Sequence, residues 1–463
     1  MNADFLQQIR ELLPGEANDL LEALSRPAET SVRLNTNKFK GPEPQGLAQV
    51  PWCPGGYYLP DRPAFTFDPM LHAGAYYVQD ASSMFISHAL RSLLQSDAPV
   101  CYLDLCAAPG GKSTAATDAL PDGSLIVSNE IDGLRAQVLR ENIVKWGCPN
   151  TVVLNESPAR IGKLTNFFDV IAADMPCSGE GMFRKEEEAV SQWSPALVEQ
   201  CARRQQTIVD DIWNALKPGG LFIYSTCTFN ARENEDMVNY IIDTHGAESV
   251  EMPIKEEWHI HKGIRTSHFC YRFLPHLTRG EGLFLAVLRK SDTDTTSRKA
   301  KGNSKKSKTK QAKTSIPSIC SSFIKNPEDF ELTAINQVAT ALPKSLASRM
   351  RQLYENLRTL HCGISLCTCK GKNIIPEHAL SQNTALNLNA FPGIEVDYPT
   401  AIAYLQGEAI TLPSDCPKGT VLICNNGYRL GFAKNLGTRA NNNYPKEWRI
   451  RSKTIPPRPI VIL

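Results

Sequence analysis

The sequence predicts an α/β protein whose central part is a mainly parallel sheet. Between residues 99 and 290, short apolar runs alternate with longer stretches of helical periodicity. The runs are VCYLDL, SLIVSN, FDVIAAD, LFIYST and LFLAVL. The spacing of Ile208, Val209, Ile212, Trp213 and Leu216 predicts one of the helices between them. Strands that alternate with helices in this way are typical of a parallel sheet.

Length and composition are those of a globular protein. The chain has 463 residues, of which 42% are hydrophobic and 21% are charged. At roughly 150 residues per domain this length allows about three domains, and the balance excludes wholesale disorder, collagen and coiled coil. The chain has no apolar run long enough for a membrane span, and its first residues do not match a signal peptide. We therefore expect a cytoplasmic protein without a membrane partner, whose 14 cysteines are reduced.

One segment divides the chain. Ser291–Ser315 has no aromatic and almost no aliphatic residue, so it cannot bury enough surface to fold. We predict an N-terminal α+β domain (1–95), a central α/β domain (96–290), a disordered basic linker (291–316) and a C-terminal region (317–463). Eight of the 50 Lys and Arg residues fall in 298–313, and the other 42 are outnumbered by 48 acidic residues. This basic segment is a flexible tether in the simplest interpretation, and a contact for a polyanion in the alternative one.

A glycine-rich loop follows the first predicted strand, in the run VCYLDLCAAPGGKS (100–113). A phosphate-binding loop of the G-x-x-x-x-G-K-[ST] type would need glycine at Cys106, and the dinucleotide pattern G-x-G-x-x-G is also absent. The loop therefore favours a nucleoside without a phosphate chain. Glu130 ends the second predicted strand 19 residues after Gly111, where α/β folds place a carboxylate that binds ribose hydroxyls. The alternative for this residue is a solvated glutamate.

Two cysteines follow predicted strands, Cys177 after FDVIAAD and Cys227 after LFIYST. Both are expected at the carboxyl edge of the sheet, where α/β proteins bind ligands. The pattern Asn230-x-x-Glu233 resembles a capping box and predicts that a helix starts there, and a helix N-terminus lowers the pKa of a nearby thiol. A buried cysteine that only fills space is the alternative for each thiol.

A thiolate beside a nucleoside cofactor suggests methylation at C5 of cytosine. Thiolate addition at C6 makes C5 nucleophilic enough to attack the methyl group of a sulfonium, and this is covalent catalysis. Asp174 could hydrogen-bond the N3/N4 edge of the base as charge develops. Methylation of an exocyclic amine would favour D/N-P-P-aromatic, whereas the chain has Asp-Met-Pro-Cys at 174–177.

Several motifs resemble the Sun/Nop family of RNA cytosine-C5 methyltransferases, and in particular its bacterial RsmF-like branch, which acts on small-subunit ribosomal RNA. The central motifs are LCAAPGGKS (105–113), DMPCSGEGMFRK (174–185), WSP (193–195), LKPGG (216–220), YSTCTFNARENED (224–236) and GEGLFLAVLRK (280–290). RLNTNK (33–38) and YYVQDASS (76–83) resemble the amino-terminal signatures, and GFAKNLGTRANNNYPKEW (431–448) resembles the PUA-like RNA-binding module of that branch.

The resemblance implies a Rossmann-like catalytic domain between an N-terminal RNA-binding domain and a C-terminal PUA-like domain. It implies that S-adenosylmethionine is held by Cys106, Ala107, Ala108, Pro109, Gly110, Gly111, Lys112 and Glu130, with Asp174 between cofactor and base. Cys227 would be the nucleophile, and Cys177 would assist release of the methylated RNA. The residues alone do not rank the two thiols, since DNA-type C5 enzymes use the Pro-Cys thiol as nucleophile.

The expected partner is ribosomal RNA or the small ribosomal subunit, bound by a monomer. A transfer RNA substrate is the first alternative, and a ribosome assembly factor that binds RNA without catalysis is the second. In the RNA interpretation the basic segment 298–313 also contacts phosphates, and deleting it should weaken the salt dependence of binding.

Three further features remain open from the sequence. Ser157 stands where the family usually has an acid near the adenine, and Glu156 or a backbone N–H could replace it. The cysteines and histidines His361, Cys362, Cys367, Cys369 and His378 invite a zinc interpretation, but their spacing alternates like a strand and we expect no metal. Five aromatic residues could stack on RNA bases, namely Trp52, Tyr57, Tyr58, Tyr76 and Tyr77. The favoured interpretation is that they pack between the first domain and the sheet.

Overall fold

The computed structural model describes residues 2–94, 96–292, 316–370, 373–456, 459–460 and 462. The basic segment 298–313 and most of the predicted linker 291–316 lie outside the described residues. Within the described ranges, no helix is long and apolar enough to cross a membrane.

The N-terminal part packs helices around a small antiparallel sheet. Its elements are α1 (Ala3–Leu12), α2 (Ala17–Ala23), β1 (Thr30–Leu34), β2 (Gly56–Leu59), α3 (Pro69–His72), β3 (Tyr76–Val78) and α4 (Phe85–Leu93). The strands lie in the order β2-β1-β3. Trp52, Tyr57, Tyr58 and Tyr76 are each at most 4% exposed. Burial confirms the packing interpretation for these four aromatic residues.

The central part alternates strands and helices as the sequence predicts. Its elements are β4 (Cys101–Asp104), α5 (Gly111–Thr117), β5 (Leu125–Asn129), α6 (Gly133–Trp146), β6 (Thr151–Leu154), α7 (Pro158–Ile161), β7 (Phe168–Asp174), α8 (Glu187–Gln192), α9 (Pro195–Ile212), β8 (Leu216–Thr226), α10 (Glu235–His245), β9 (Glu248–Ser249), β10 (His261–Lys262), β11 (Cys270–Phe273) and β12 (Leu283–Arg289). One predicted helix is shorter than its periodicity suggests. Leu216 begins β8 and pairs with Phe168, so α9 ends at Ile212.

The C-terminal part contains two smaller sheets and contributes one strand to the central sheet. Its elements are β13 (Phe330–Ile335), β14 (Val338–Pro343), α11 (Ala347–Asn356), β15 (Thr359–Cys362), β16 (Ile364–Lys370), β17 (Asn373–Pro376), α12 (His378–Gln382), β18 (Gly393–Glu395), α13 (Tyr398–Leu405), β19 (Gly419–Asn425), β20 (Tyr428–Asn435) and β21 (Ala440–Asn442). The strand orders are β13-β14-β16-β17 and β18-β19-β20-β21.

The central sheet has the order β10-β11-β12-β8-β7-β4-β5-β6-β15. Strands β4 to β8 are parallel, and β12 runs antiparallel beside β8. The order reverses between β4 and β7, because β5 and β6 extend the sheet on one side and β8 on the other. Such a reversal opens a crevice at the carboxyl ends of the strands, where open α/β sheets bind ligands.

Alternating side chains along these strands bury both faces of the sheet. Leu103, Val127 and Ile171 belong to one apolar core, and their neighbours Tyr102 and Ile126 belong to the other. Burial on both faces explains why the strands are almost uninterrupted apolar runs in the sequence. The polar residues that follow these runs are thereby concentrated at the strand ends.

Candidate active site

The cofactor loop predicted from the sequence lies in the crevice at the strand reversal. It connects Asp104, the last residue of β4, to Gly111, the first residue of α5. Gly110 has φ of 114°, a left-handed conformation that residues with a side chain adopt only at a cost. Leu105 and Ala107 donate backbone hydrogen bonds to Ala172 and Asn129, so the loop is fixed to β7 and β5.

Glu130 lies beside this loop, as expected. Its side chain is almost buried, and one carboxylate oxygen accepts a hydrogen bond of 2.9 Å from the backbone N–H of Asp132. Arg135 lies 3.5 Å from the other oxygen and donates to the carbonyl of Ala108 in the loop. Arg135 therefore connects the acid after β5 to the loop after β4.

The position after β6 does not supply a second carboxylate to this crevice, because Ser157 has none and the carboxylate of Glu156 is bound elsewhere. Glu156 accepts a hydrogen bond of 2.8 Å from the backbone N–H of Arg358, and its other oxygen lies 3.5 Å from Arg160. The carboxylate is therefore occupied at the contact with the C-terminal part. Ser157 is the N-cap residue of α7, and its side chain makes no capping hydrogen bond.

Three acids and one lysine gather around the loop. Asp104 is 1% exposed and accepts a hydrogen bond of 2.7 Å from Ser113, while burial raises its pKa to about 7. Lys112 forms an ion pair of 2.7 Å with Asp174. Burial lowers the pKa of Lys112, but the adjacent Asp174 outweighs that effect and the pKa is raised. With Glu130, three acids lie near two cationic side chains, Lys112 and the more exposed Arg135, so this set suits a ligand that carries positive charge.

The two predicted thiols meet at the same edge of the sheet. The Sγ atoms of Cys177 and Cys227 are 3.3 Å apart, although the residues are 50 positions apart in the chain. Ser225 donates a hydrogen bond of 2.9 Å to Asp174, and this bond connects the end of β8 to the end of β7. The structure thus brings together Cys177, Cys227, Asp174 and Lys112.

The environment distinguishes the two thiols. The pKa of Cys177 is raised well above its ordinary value, first by its hydrogen bond with Cys227 and then by burial. The carboxylate of Glu233 adds to this effect. On the other side of the pair, the charge of Cys227 contributes to the raised pKa of Lys112, so that ammonium lies close to this thiol. The surroundings of Cys177 therefore disfavour its thiolate form.

A buried polar network behind the thiols was missed in the sequence. The carboxylate of Glu233 accepts hydrogen bonds from the backbone N–H and hydroxyl of Ser178, the residue after Cys177. Asn230 and Gln205 donate to the same carboxylate over 2.8 and 2.9 Å. Glu180 accepts from the backbone N–H groups of Phe229 and Asn230. These contacts fasten the Pro-Cys loop to the Thr-Cys loop.

This network also corrects the capping-box prediction. Asn230 does accept a hydrogen bond of 2.8 Å from the N–H of Glu233, but α10 begins only at Glu235. The side chain of Glu233 is used by Ser178 and Gln205, while the N–H of Asn230 is bound by Glu180. The helix therefore starts eight residues beyond Cys227. Its N-terminus is not adjacent to this thiol, contrary to the sequence prediction.

The possible zinc ligands are not brought together. His361 and Cys362 lie in β15, Cys367 and Cys369 lie in β16, and His378 begins α12. Among the residues that the structure describes, no group of three or more His, Cys, Asp or Glu side chains could hold a metal ion.

The strand order, the loop after β4 and the acid after β5 define the chain as a Rossmann-like methyltransferase. The family model for the 16S rRNA methyltransferase RsmB/F matches residues 92–289. Models for the N-terminal domain of 16S rRNA methyltransferase RsmF and for the methyltransferase RsmF PUA domain match residues 1–81 and 391–450.

Curated relatives are similar over almost their whole length. The ribosomal RNA small subunit methyltransferase F of Aliivibrio fischeri is 30% identical over 467 residues, covering 96% of this chain and 96% of the relative. The protein of the same name from Erwinia tasmaniensis is 29% identical over 465 residues, covering 96% and 95%. The chain belongs to the ribosomal RNA small subunit methyltransferase F family.

Solved structures support the fold. A methyltransferase homologue from Pyrococcus horikoshii is 26% identical with a TM-score of 0.52, covering 63% of this chain and 95% of that one. NSun6 from the same organism, solved with the S-adenosylmethionine analogue SFG, is 19% identical with a TM-score of 0.53 and covers 62% and 98%.

Proposed function

We propose that this chain methylates C5 of a cytosine in small-subunit ribosomal RNA through a covalent adduct with Cys227. The observation that carries the proposal is the pair of thiols, 3.3 Å apart, next to the ion pair of Lys112 and Asp174. Methylation of an exocyclic amine needs no thiol, whereas methylation of the poorly nucleophilic C5 does. The names of the curated relatives support the substrate class.

The residues at the loop fit S-adenosylmethionine. This cofactor carries a sulfonium, an ammonium and a carboxylate, and the crevice offers the acids Asp104, Glu130 and Asp174 together with Lys112 and Arg135. Glu130 is the residue suited to the ribose hydroxyls, and Cys106–Lys112 would line the rest of the site. When bound, S-adenosylmethionine supplies an electrophilic methyl group.

The chain's own groups act on the RNA base. The Cys227 thiolate adds to C6 of cytosine, the C5=C6 electron pair moves to C5, and Asp174 accepts a hydrogen bond from the N4 amine and so orients the base. Lys112 forms the ion pair that holds Asp174 in place. After methylation water takes the C5 proton, the electrons of the C5–H bond re-form the C5=C6 double bond, and the C6–S bond breaks with its electron pair going to Cys227. Cys177 keeps its proton and assists this release with a hydrogen bond to the departing sulfur.

Cysteine variants test the assignment. With S-adenosylmethionine and small-subunit ribosomal RNA from cells lacking the gene, Cys227→Ala should abolish methyl transfer. Cys177→Ala should accumulate a protein–RNA adduct that survives denaturing electrophoresis. Cys416→Ala, which removes a partly buried thiol outside the site, is the control and should behave as the parent chain. The roles are reversed if Cys177→Ala turns over normally and Cys227→Ala traps RNA.

Two alternatives remain distinguishable by their product. A transfer RNA methyltransferase would use the same thiols, and an assembly factor would not use them at all. Bisulfite sequencing of total RNA from cells with and without the gene should show one lost 5-methylcytosine in the small-subunit ribosomal RNA. Loss in a transfer RNA supports the first alternative, and no loss supports the second.

The remaining sequence predictions complete the proposal. We propose a cytoplasmic monomer that meets RNA with the N-terminal part (1–95) and the C-terminal part (317–463), on either side of the catalytic part (96–290). Gel filtration with light scattering tests the monomer.

A further inference from the structure

A cationic cavity lies far from the thiols, between the N-terminal part and the C-terminal sheet. Its volume is about 340 Å³, within the usual range for ligand sites. Four cationic side chains line it, namely Lys38, Lys40, Lys325 and Arg429. In the described part of the chain its lining includes no aspartate or glutamate, and the carboxylate of Glu395 beside it accepts a hydrogen bond from the N–H of Gly427 in the lining.

Among the described residues, no carboxylate forms an ion pair with the basic side chains of this cavity. Lys38 is 8% exposed and donates to backbone carbonyls, including that of Ala73 at 3.0 Å. Burial, and then the charge of Arg429, lower the pKa of Lys38 well below its ordinary value. Lys40 reaches the carbonyl of Gly427 over 3.2 Å. The Arg429 guanidinium has no hydrogen-bond or ion-pair partner among the described residues, and burial lowers its pKa. Lys40 and Lys325 are exposed and Arg429 is partly exposed, so water solvates these charges and an anionic ligand can replace that water.

Apolar side chains also line the cavity. Phe391 and Leu422 are almost buried there, and Leu388 is 54% exposed. A lining that combines basic and apolar side chains suits a phosphate attached to a sugar and a base better than a free inorganic anion.

We propose that this cavity binds a phosphate and the adjoining nucleoside of the RNA substrate, at a second contact point remote from the thiols. Arg429 provides the paired donors that match phosphate oxygens, and Lys40 provides the second charge. The inference rests on the proposed function only in taking RNA as the ligand.

Helix α6 sets the separation of the two RNA contacts. It begins near Glu130 at the cofactor edge, and in its last turn the carbonyl of Lys145 accepts a hydrogen bond from Lys38. Its 14 residues span about 21 Å at 1.5 Å per residue. At the roughly 3.4 Å per nucleotide of a stacked strand this distance corresponds to about six nucleotides, and an extended single strand needs fewer. A dinucleotide therefore reaches only one of the two sites.

Strand β20 offers a matched pair of variants. Arg429 lines the cavity, whereas Lys434, five residues further along the same strand, is exposed and does not line it. With a fluorescein-labelled single-stranded 12-mer of mixed sequence, we expect Arg429→Ala to raise the dissociation constant about tenfold. It should also reduce the slope of log affinity against log salt by about 0.7, the value for one lost phosphate contact on a single strand. Lys434→Ala should change neither, and Arg429→Lys should restore part of the affinity.

Length and small anions give the remaining outcomes. Binding of a dinucleotide at the thiol site should be insensitive to Arg429→Ala, and methylation of full-length RNA should show a raised KM with an unchanged kcat. Equal effects of the Arg429 and Lys434 variants, or none, overturn the proposal. Weaker binding of AMP or inorganic phosphate to Arg429→Ala, with RNA affinity unchanged, also overturns it in favour of a free anion. The binding assay needs no methyl transfer, so a chain that binds RNA through Arg429 yet transfers no methyl group refutes only the proposed function.

Discussion

Removal of the Glu233 carboxylate tests how firmly the two thiol loops are joined. In Glu233→Ala, Ser178 keeps a hydroxyl contact with Thr228, and Gln205 keeps the carbonyl of Pro176. Asn230 also keeps contacts with Glu180 and Thr228. Only the backbone N–H of Ser178 loses its acceptor, because both of its hydrogen bonds go to Glu233.

The expected cost follows from that count. One orphaned buried N–H costs about 1–3 kcal/mol, and the lost hydrogen bonds to a charged group add to it. Burial raises the pKa of Glu233, so removing the charge returns part of this free energy. We expect a loss of about 2–3 kcal/mol in urea unfolding at pH 7. Methyl transfer should fall further than stability does, because Ser178 positions Cys177.

Glu233→Gln is the matched variant for this prediction. It keeps one acceptor for the Ser178 N–H but places an amide against the donors Gln205 and Asn230. We therefore expect a smaller loss, about 1 kcal/mol, with partial activity. If the Ala variant unfolds at the same urea concentration as the parent chain and releases methylated RNA at the same rate, the network does not position the thiols.

Three other perturbations have defined outcomes. Arg272→Ala leaves Glu235 unpaired at 2% exposure and should cost about 3–5 kcal/mol in urea unfolding; a loss below about 1 kcal/mol would contradict the ion-pair reasoning. Gly74→Ala should prevent stable folding, judged by thermal melting, because its Cβ would lie 1.9 Å from the carbonyl of Lys145 at φ of 68°. Burial raises the pKa of Asp104 to about 7, so the stability it contributes is full below about pH 4 and is lost as the pH rises toward 7. Asp104→Asn should flatten the pH dependence of unfolding across that window, and an unchanged profile would mean that Asp104 is ionised in the fold.

The sequence predicts the features that depend on neighbouring residues. The apolar runs around Leu103, Val127 and Ile171 became parallel strands because a strand buried on both faces must be apolar throughout. Once those strands are parallel, Cys177 and Cys227 must lie at one edge. Their meeting is therefore a consequence of topology, which local patterns can establish.

Features that depend on distant partners could not be predicted in this way. The spacing of Asn230 and Glu233, three residues apart, predicts a capping box. In the structure the carboxylate of Glu233 instead accepts a hydrogen bond from Ser178, 55 residues away. Strand β15 joins the central sheet by pairing with β6, which lies some 200 residues earlier in the chain, and no pattern in the sequence of β15 predicts this pairing. The charge of Arg429 is unremarkable in the sequence, and only the packed structure reveals that no described side chain forms an ion pair with it.

The ranking of the two thiols shows where the two kinds of information meet. In the sequence both cysteines follow apolar strands and precede polar loops, so nothing local separates a nucleophile from an assisting thiol. In the fold, Cys177 is held by the network of Glu233 and its pKa is raised, while Lys112 lies close to Cys227. A carboxylate behind a buried thiol disfavours its thiolate, whereas an ammonium favours a thiolate close to it. These surroundings agree with the roles that the family resemblance implies, in which Cys227 is the nucleophile and Cys177 assists release.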